Sequence, residues 1–196
     1  MSEPHQELWL IRHGETEWSA AKRHTGRTDI SLTPTGERQA AALGKSLAGR
    51  RFELVLCSPL RRASETCRLA GYGQAAEVTD DLLEWDYGVY EGRTTQEIRL
   101  EQPGWSIWRT SVTKGESIEH VGHRAQRVIQ KALAVDGDVV LFAHAHILRI
   151  LAARWLDLPP DAGRLFVLRT ASISVLGFER ETRVITRWNL LHEGRV

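Results

Sequence analysis

Short apolar runs alternate along this chain with amphipathic stretches of helical spacing. The runs at residues 8–11, 53–57 and 138–143 predict short strands that are buried on both faces. Weaker strands are predicted at 76–79, 165–168, 173–178 and 184–190. The alternation of strands with helical segments is typical of α/β proteins.

The helical segments carry clear boundary signals. Thr33 can cap a helix that begins at Pro34, with Gly49 just beyond its end. Further helices are predicted at 60–69, from Thr94 or Thr95 up to Pro103, from Ser117 to about Leu133, and at 147–156. The pattern therefore predicts a helix–sheet–helix sandwich in one domain over 1–196, with a small cap at 93–116.

Composition narrows the functional classes. The chain has 196 residues, 42% of them hydrophobic and 26% charged, as expected of a soluble globular protein. A formal net charge of +1 gives no support to nucleic-acid or membrane-surface binding. We find no signal peptide or membrane-spanning run, and expect a cytoplasmic protein. Nothing in the sequence indicates an oligomeric state.

The two cysteines fit a reducing compartment. Cys57 is predicted to end a strand and Cys67 to lie well inside the following helix. A helical separation of this length exceeds what a disulfide spans, so we expect two free, buried thiols that lie apart.

Polar groups with a shared chemistry follow the buried strands. Arg12 and His13 end the first strand, Arg62 follows the second, and His144 ends the strand at 138–143. Glu84 opens a further polar segment. Because ligands bind beyond the carboxyl ends of strands in open α/β sheets, we expect these five residues to converge.

Two arginines, two histidines and one carboxylate suit phosphoryl transfer. Guanidinium groups bind phosphate oxygens bidentately, and a neutral imidazole can attack phosphorus to form a phosphohistidine. Neighbouring arginines should lower the pKa of His13, while Glu84 could protonate the leaving oxygen. Protein cations could supply the charge neutralisation without a metal or cofactor.

Four motifs resemble the histidine phosphatase superfamily, phosphoglycerate mutase-like branch. They are Arg12–Thr16, Ser58–Ala63, Glu84–Gly92 and Phe142–His144, in the same order and spacing. The resemblance implies an α/β/α sandwich with a mixed, mainly parallel sheet. It also implies His13 as the phosphorylated nucleophile and Glu84 as the proton donor, with Arg12, Arg62 and His144 holding the phosphoryl group.

The same resemblance implies a wider binding site and shows two departures. Thr25 and Gly26 should line the phosphate pocket, and Tyr87 should face the rest of the substrate. Ser19 stands where many members carry a phosphate-binding Asn, and Ala145 where the family usually has Gly. An Ala that needed a positive φ would be strained.

Several alternatives remain open from the sequence. Glu15 or Glu91 could be the acid instead of Glu84, and His144 with His146 could suggest a metal, although no third ligand is evident. The favoured function is a metal-independent phosphatase acting on a small phosphorylated metabolite. The alternatives are a cofactor-dependent phosphoglycerate mutase and a non-catalytic phosphate-binding module. The mutases carry a paired-Arg insertion, which is not found between Gly92 and Glu116.

Overall fold

The apolar runs form the centre of a six-stranded mixed sheet in the computed structural model, which describes residues 6–191. The strands are β1 (Leu8–Arg12), β2 (Leu54–Cys57), β3 (Ala76–Val78), β4 (Val139–Ala143), β5 (Ile173–Glu179) and β6 (Thr182–Leu190). Their order is β3-β2-β4-β1-β5-β6. Neighbouring strands from β3 to β1 in this order pair in parallel. β5 pairs antiparallel with both β1 and β6. The predicted mixed, mainly parallel sheet is confirmed.

Helices cover both faces of this sheet. They are α1 (Glu17–Ala20), α2 (Pro34–Leu47), α3 (Arg61–Leu69), α4 (Thr95–Glu101), α5 (Ile118–Leu133) and α6 (Ala145–Trp155). Side chains of α2 and α3 pack on one face of the sheet, and those of α5 and α6 pack on the other. The central strands are buried on both faces because helices cover them on both sides, which explains their uninterrupted apolar sequence.

The predicted caps form as the sequence indicates. The side chains of Thr33, Thr94 and Ser117 each accept a backbone N–H in the first turn of α2, α4 and α5. In the segment predicted as a cap, α4 is followed by turns, and both Trp105 and Ile107 are buried.

The predicted strand at 165–168 is wrong. A short 3₁₀ helix covers Pro160–Leu165, and the chain after it has no strand partner. Leu165 and Val167 are 68% and 67% exposed, so these apolar residues do not face a sheet. Both sides of β5 are already occupied by β1 and β6, so this segment does not pair with β5.

The two cysteines are free and buried, as expected, but the separation predicted between them is wrong. The side chain of Cys67, together with burial, raises the pKa of the Cys57 thiol. The thiols are therefore neighbours, because α3 packs back over the sheet that β2 belongs to. No helix within residues 6–191 is long and apolar enough to cross a bilayer.

Candidate active site

The pairing of β1 with β4 brings the two predicted site histidines together. The strands are parallel, and Arg12 lies opposite Ala143 in the register. Each strand continues into a histidine, so the rings of His13 and His144 lie side by side with centroids 5.2 Å apart. Both side chains are buried, at 5% and 0% exposure. The register of the two strands thus brings together histidines that lie 131 positions apart in the sequence.

His13 is held in one tautomer. Its Nδ1 lies 2.7 Å from the carbonyl oxygen of Gly14, which can only accept a hydrogen bond. Nδ1 therefore carries the proton, and Nε2 of the neutral ring keeps its lone pair. Burial, followed by the charges of Arg62 and Arg12, lowers the pKa of His13 well below its ordinary value. The predicted lowering is confirmed, with burial as the larger cause.

Arg62 is fully buried and joins several parts of the site. Its guanidinium donates to the carbonyl oxygens of Thr25, Gly26 and Thr28 at 2.8–3.2 Å. Its Nε donates to Nδ1 of His144 at 3.1 Å. The other ring nitrogen of His144 then carries the proton and donates to Ser58 Oγ at 2.7 Å. Burial lowers the pKa of both Arg62 and His144.

One buried nitrogen of Arg12 has no hydrogen-bond partner among the described residues. Its Nη1 donates to the carbonyl of Leu168 at 2.6 Å, while Nε is buried without a hydrogen-bond partner among the described residues. Burial lowers the pKa of Arg12 to about 10, so the group remains a cation at neutral pH. A buried donor without a partner is costly, and an anion beside it would satisfy both the charge and the N–H.

Glu84 sits at the N-terminus of α6. Its carboxylate accepts backbone N–H groups of Trp85, His146 and Ile147 at 2.9–3.0 Å. The side chain is 3% exposed, and its orientation is fixed by these three bonds. The other two candidate acids serve as loop braces. Glu15 accepts the hydroxyl of Thr33, and Glu91 holds the backbone of Arg27 and Thr28.

A cavity of about 270 Å³ opens at these residues. Its walls are Arg12, His13, Ser19, Lys22, Arg23, His24, Thr25, Glu84, Tyr87, Ala145, His146, Arg149 and residues 166–168. The nucleophile and acid candidates therefore face the same space. Arg62 and His144 lie behind this wall in direct contact with it.

The five further residues predicted for the binding site lie at or next to this cavity. Ser19, Thr25, Tyr87 and Ala145 line it. The Ser19 hydroxyl is engaged in the capping box of α1, bonded to Thr16. Ala145 begins α6 without a left-handed φ, so the strain considered for it does not arise. A Cβ on Gly26 would clash with the Glu91 carboxylate and the Trp85 carbonyl, which explains the glycine there.

Tyr87 forms a short contact that the sequence did not predict. Its hydroxyl lies 2.6 Å from Nδ1 of His146. Burial raises the pKa of Tyr87 well above its ordinary value and lowers that of His146, so the neutral phenol donates to the neutral ring. Within residues 6–191 we find no group of three or more potential metal ligands around His144 and His146.

Sequence reasoning missed four participants. Ser58 holds His144, and Lys22, Arg23 and Arg149 line the cavity. Ser58 lies inside a motif already noted, so its position after β2 was an available signal. The three cations carry no such signal, since polar residues on a helix or turn are usually solvated.

Comparisons with known proteins agree with this geometry. A sequence model of the histidine phosphatase superfamily (branch 1) matches residues 8–191. An acid phosphatase of Mycobacterium tuberculosis is 43% identical over 180 residues, covering 90% of this chain and 88% of that protein. A sedoheptulose 1,7-bisphosphatase of Saccharomyces cerevisiae is 35% identical, covering 76% of this chain and 67% of that protein.

Solved structures show the same fold. The structure of an open reading frame from Mycobacterium tuberculosis superposes with a TM-score of 0.91 at 41% identity, covering 96% of this chain and 99% of that one. A mycobacterial glucosyl-3-phosphoglycerate phosphatase superposes with a TM-score of 0.84 at 29% identity, covering 94% and 98%.

Buried histidines at the cavity make stability depend on pH. Burial lowers the pKa of His24 to about 4. The unfolded chain binds a proton at this residue below about pH 6.5, which the folded chain does not bind until about pH 4, so stability falls as pH falls through that window. We expect His24→Gln to reduce the loss of unfolding free energy between pH 7 and 5 by about 1–2 kcal/mol.

Urea unfolding of both proteins at several pH values measures this difference. His123→Gln, which removes an exposed histidine on α5 away from the cavity, is measured alongside as the matched control. Equal pH dependence in wild type and His24→Gln would contradict the prediction.

Proposed function

This chain belongs to the histidine phosphatase superfamily and is a phosphatase, and we propose that it hydrolyses a small phosphomonoester through a phosphohistidine on His13. Glu84 is the proton donor in this proposal, and Arg12, Arg62 and His144 hold the phosphoryl group. The observation that carries it is that His13, with a neutral ring, and Arg12, whose buried Nε has no partner among the described residues, line the same cavity.

The first step transfers the phosphoryl group to the protein. The Nε2 lone pair of His13 attacks phosphorus, a P–N bond forms, and the ester P–O bond breaks. Glu84, which is protonated at the start of this step, gives its proton to the departing oxygen and is left as the carboxylate. The Gly14 carbonyl accepts from Nδ1 throughout and stabilises the positive charge that develops on the ring.

The second step restores the enzyme. Water attacks phosphorus, the Glu84 carboxylate takes a proton from this water, and the P–N bond breaks. The products are phosphate and neutral His13. Arg12 and the buried Arg62 supply positive charge at the phosphoryl oxygens, and we propose that the reaction needs no metal ion.

The names of the similar proteins indicate two kinds of substrate. The yeast relative is named for a sugar bisphosphate, and the mycobacterial structure for a glucosylated phosphoglycerate. We propose a phosphorylated sugar or acid of that kind, because the cavity of about 270 Å³ accommodates a small metabolite.

His13→Ala tests the nucleophile. We expect hydrolysis of p-nitrophenyl phosphate to fall by at least about 10³-fold, because the variant lacks the nucleophile to which the phosphoryl group is transferred in this proposal. Acid-labile, alkali-stable phosphate should accumulate on wild-type protein quenched during turnover and be missing from the variant. His123→Ala, at an exposed position, is the control. Retained labelling in His13→Ala would contradict the assignment, and strong inhibition by EDTA would contradict metal independence.

Glu84→Gln tests the acid. We expect kcat/KM for an alkyl phosphate to fall about 10²–10⁴-fold, since its leaving oxygen needs a proton. Turnover of p-nitrophenyl phosphate, whose leaving oxygen needs little protonation, should fall far less. Glu91→Gln, which perturbs a supporting loop, should affect both substrates by the same factor. Equal slowing of both substrates in Glu84→Gln would assign the proton transfer elsewhere.

Hydrolysis can be separated from mutase activity with one mixture. We incubate the protein with 3-phosphoglycerate and a trace of the bisphosphate, and measure both free phosphate and 2-phosphoglycerate. Phosphate should dominate, because the chain lacks adjacent arginines between Gly92 and Glu116. Rapid formation of 2-phosphoglycerate with little free phosphate would favour the mutase.

A further inference from the structure

Two cations line the cavity but have no part in the chemistry proposed above. They are Lys22, just after α1, and Arg149, in the second turn of α6. Neither forms a salt bridge with a carboxylate among residues 6–191. Arg23, which also lines the cavity, does pair with a carboxylate, that of Glu97. A cation without a counterion at a cavity wall is a binding group for an anion.

Arg149 is partly desolvated and held in place. Its guanidinium lies over the ring of Trp108, 4.6 Å from the centroid. Nε donates to the carbonyl of Gly163 at 3.1 Å, and Nη2 makes a longer contact of 3.4 Å with the carbonyl of Arg164. These contacts fix the plane of the group and leave Nη1 without a described partner. A preorganised guanidinium loses little entropy when it binds a carboxylate or phosphate.

Charge repulsion and burial make the position of the charged Arg149 side chain unfavourable in free energy. It lies close enough to Arg12 for their charges to repel, and burial lowers its pKa. Glu84, the carboxylate within its field, is already bonded to three backbone N–H groups. A second anion in the cavity would offset this repulsion.

Lys22 is the other of these two cations. Its backbone is in the left-handed region, with φ of 56°, immediately after the short helix α1. This conformation is unfavourable for a residue with a Cβ, so the turn fixes where the lysine stem begins. The side chain is exposed and flexible enough to reach a ligand in the cavity.

The third side of the cavity is apolar. Phe166, Val167 and Leu168 line it. Their side chains offer no charge to a ligand. The cations other than Arg12 therefore define where a second polar group of the substrate must lie.

We infer that the substrate carries a second anionic group, a carboxylate or a second phosphate, which Arg149 binds with Lys22 closing over it. This inference rests on the proposed function, because it assumes that the first phosphate lies between Arg12 and His13. Arg149 is then the residue that determines specificity.

Matched substrates test the inference. In the first pair, 3-phosphoglycerate carries a carboxylate where glycerol 3-phosphate carries a hydroxymethyl group. In the second pair, fructose 1,6-bisphosphate carries one phosphate more than the fructose monophosphates. We expect wild-type kcat/KM to favour the doubly anionic member of at least one pair by tenfold or more. The pair with the larger ratio identifies the second anion as carboxylate or phosphate.

The variants are Arg149→Met, Arg149→Lys and Lys22→Met. Arg149→Met should reduce the preference at least tenfold, in line with the loss of a charge-assisted hydrogen bond, and Arg149→Lys should retain part of it. Lys22→Met should give a smaller reduction, because its amine is exposed. Arg154→Met is the matched control: it lies on the same helix, away from the cavity wall, and should leave the ratio unchanged.

Two outcomes overturn the inference. One is a wild type without preference in either pair. The other is an Arg149→Met variant that slows all four kinds of substrate by the same factor, which would show a purely structural role. The proposed function stands or falls separately, because the phosphohistidine on His13 can be detected with p-nitrophenyl phosphate, which lacks a second anion.

Discussion

The buried guanidinium of Arg62 is the interaction on which the site depends. A fully buried cation is tolerated only when its donors find partners, and here three carbonyl oxygens and one imidazole nitrogen accept four of its five N–H groups. The carbonyls come from residues 25–28 and the imidazole from the end of β4. One side chain from α3 thus joins two segments that are far apart in sequence.

This link also sets the chemical state of the histidines. Since Arg62 Nε can only donate, it fixes the tautomer of His144, which passes a hydrogen bond on to Ser58. The same positive charge contributes to the lowered pKa of His13. A single buried cation therefore supports the loop beside the cavity, orients one histidine and favours the neutral form of the other. Its full burial and its bonds to main-chain atoms make it a poor site for substitution, even by lysine, which lacks the planar fork.

The parts of this fold that the sequence predicted are those where one physical cause dominates. Apart from Arg12 at the end of β1, the strands β1, β2 and β4 are apolar because both faces are covered, and that cause leaves a direct trace in the sequence. His13 and His144 could be placed together because parallel strands in register end at the same edge. The segment at 165–168 was misassigned because a run of apolar residues does not say whether a partner strand is available. The neighbouring thiols of Cys57 and Cys67 were missed for a related reason, since helix rise was counted without the angle at which α3 packs back.

Residues that act through distant contacts left less trace. Arg149 and Lys22 look like ordinary helix and turn residues, and their proximity to Arg12 depends on how α6 and the loop after α1 pack together. The cavity contrasts with the rest of the chain in its charge: the molecule as a whole is nearly neutral, yet several cations and a single carboxylate face this one space. The charge of that carboxylate favours the cationic forms of Arg12, Arg62 and Arg149, but one carboxylate cannot balance all of them. The excess positive charge in this space must therefore be matched by the ligand. Some cations remain after one phosphate is bound, and their number indicates how many further anionic groups the ligand carries.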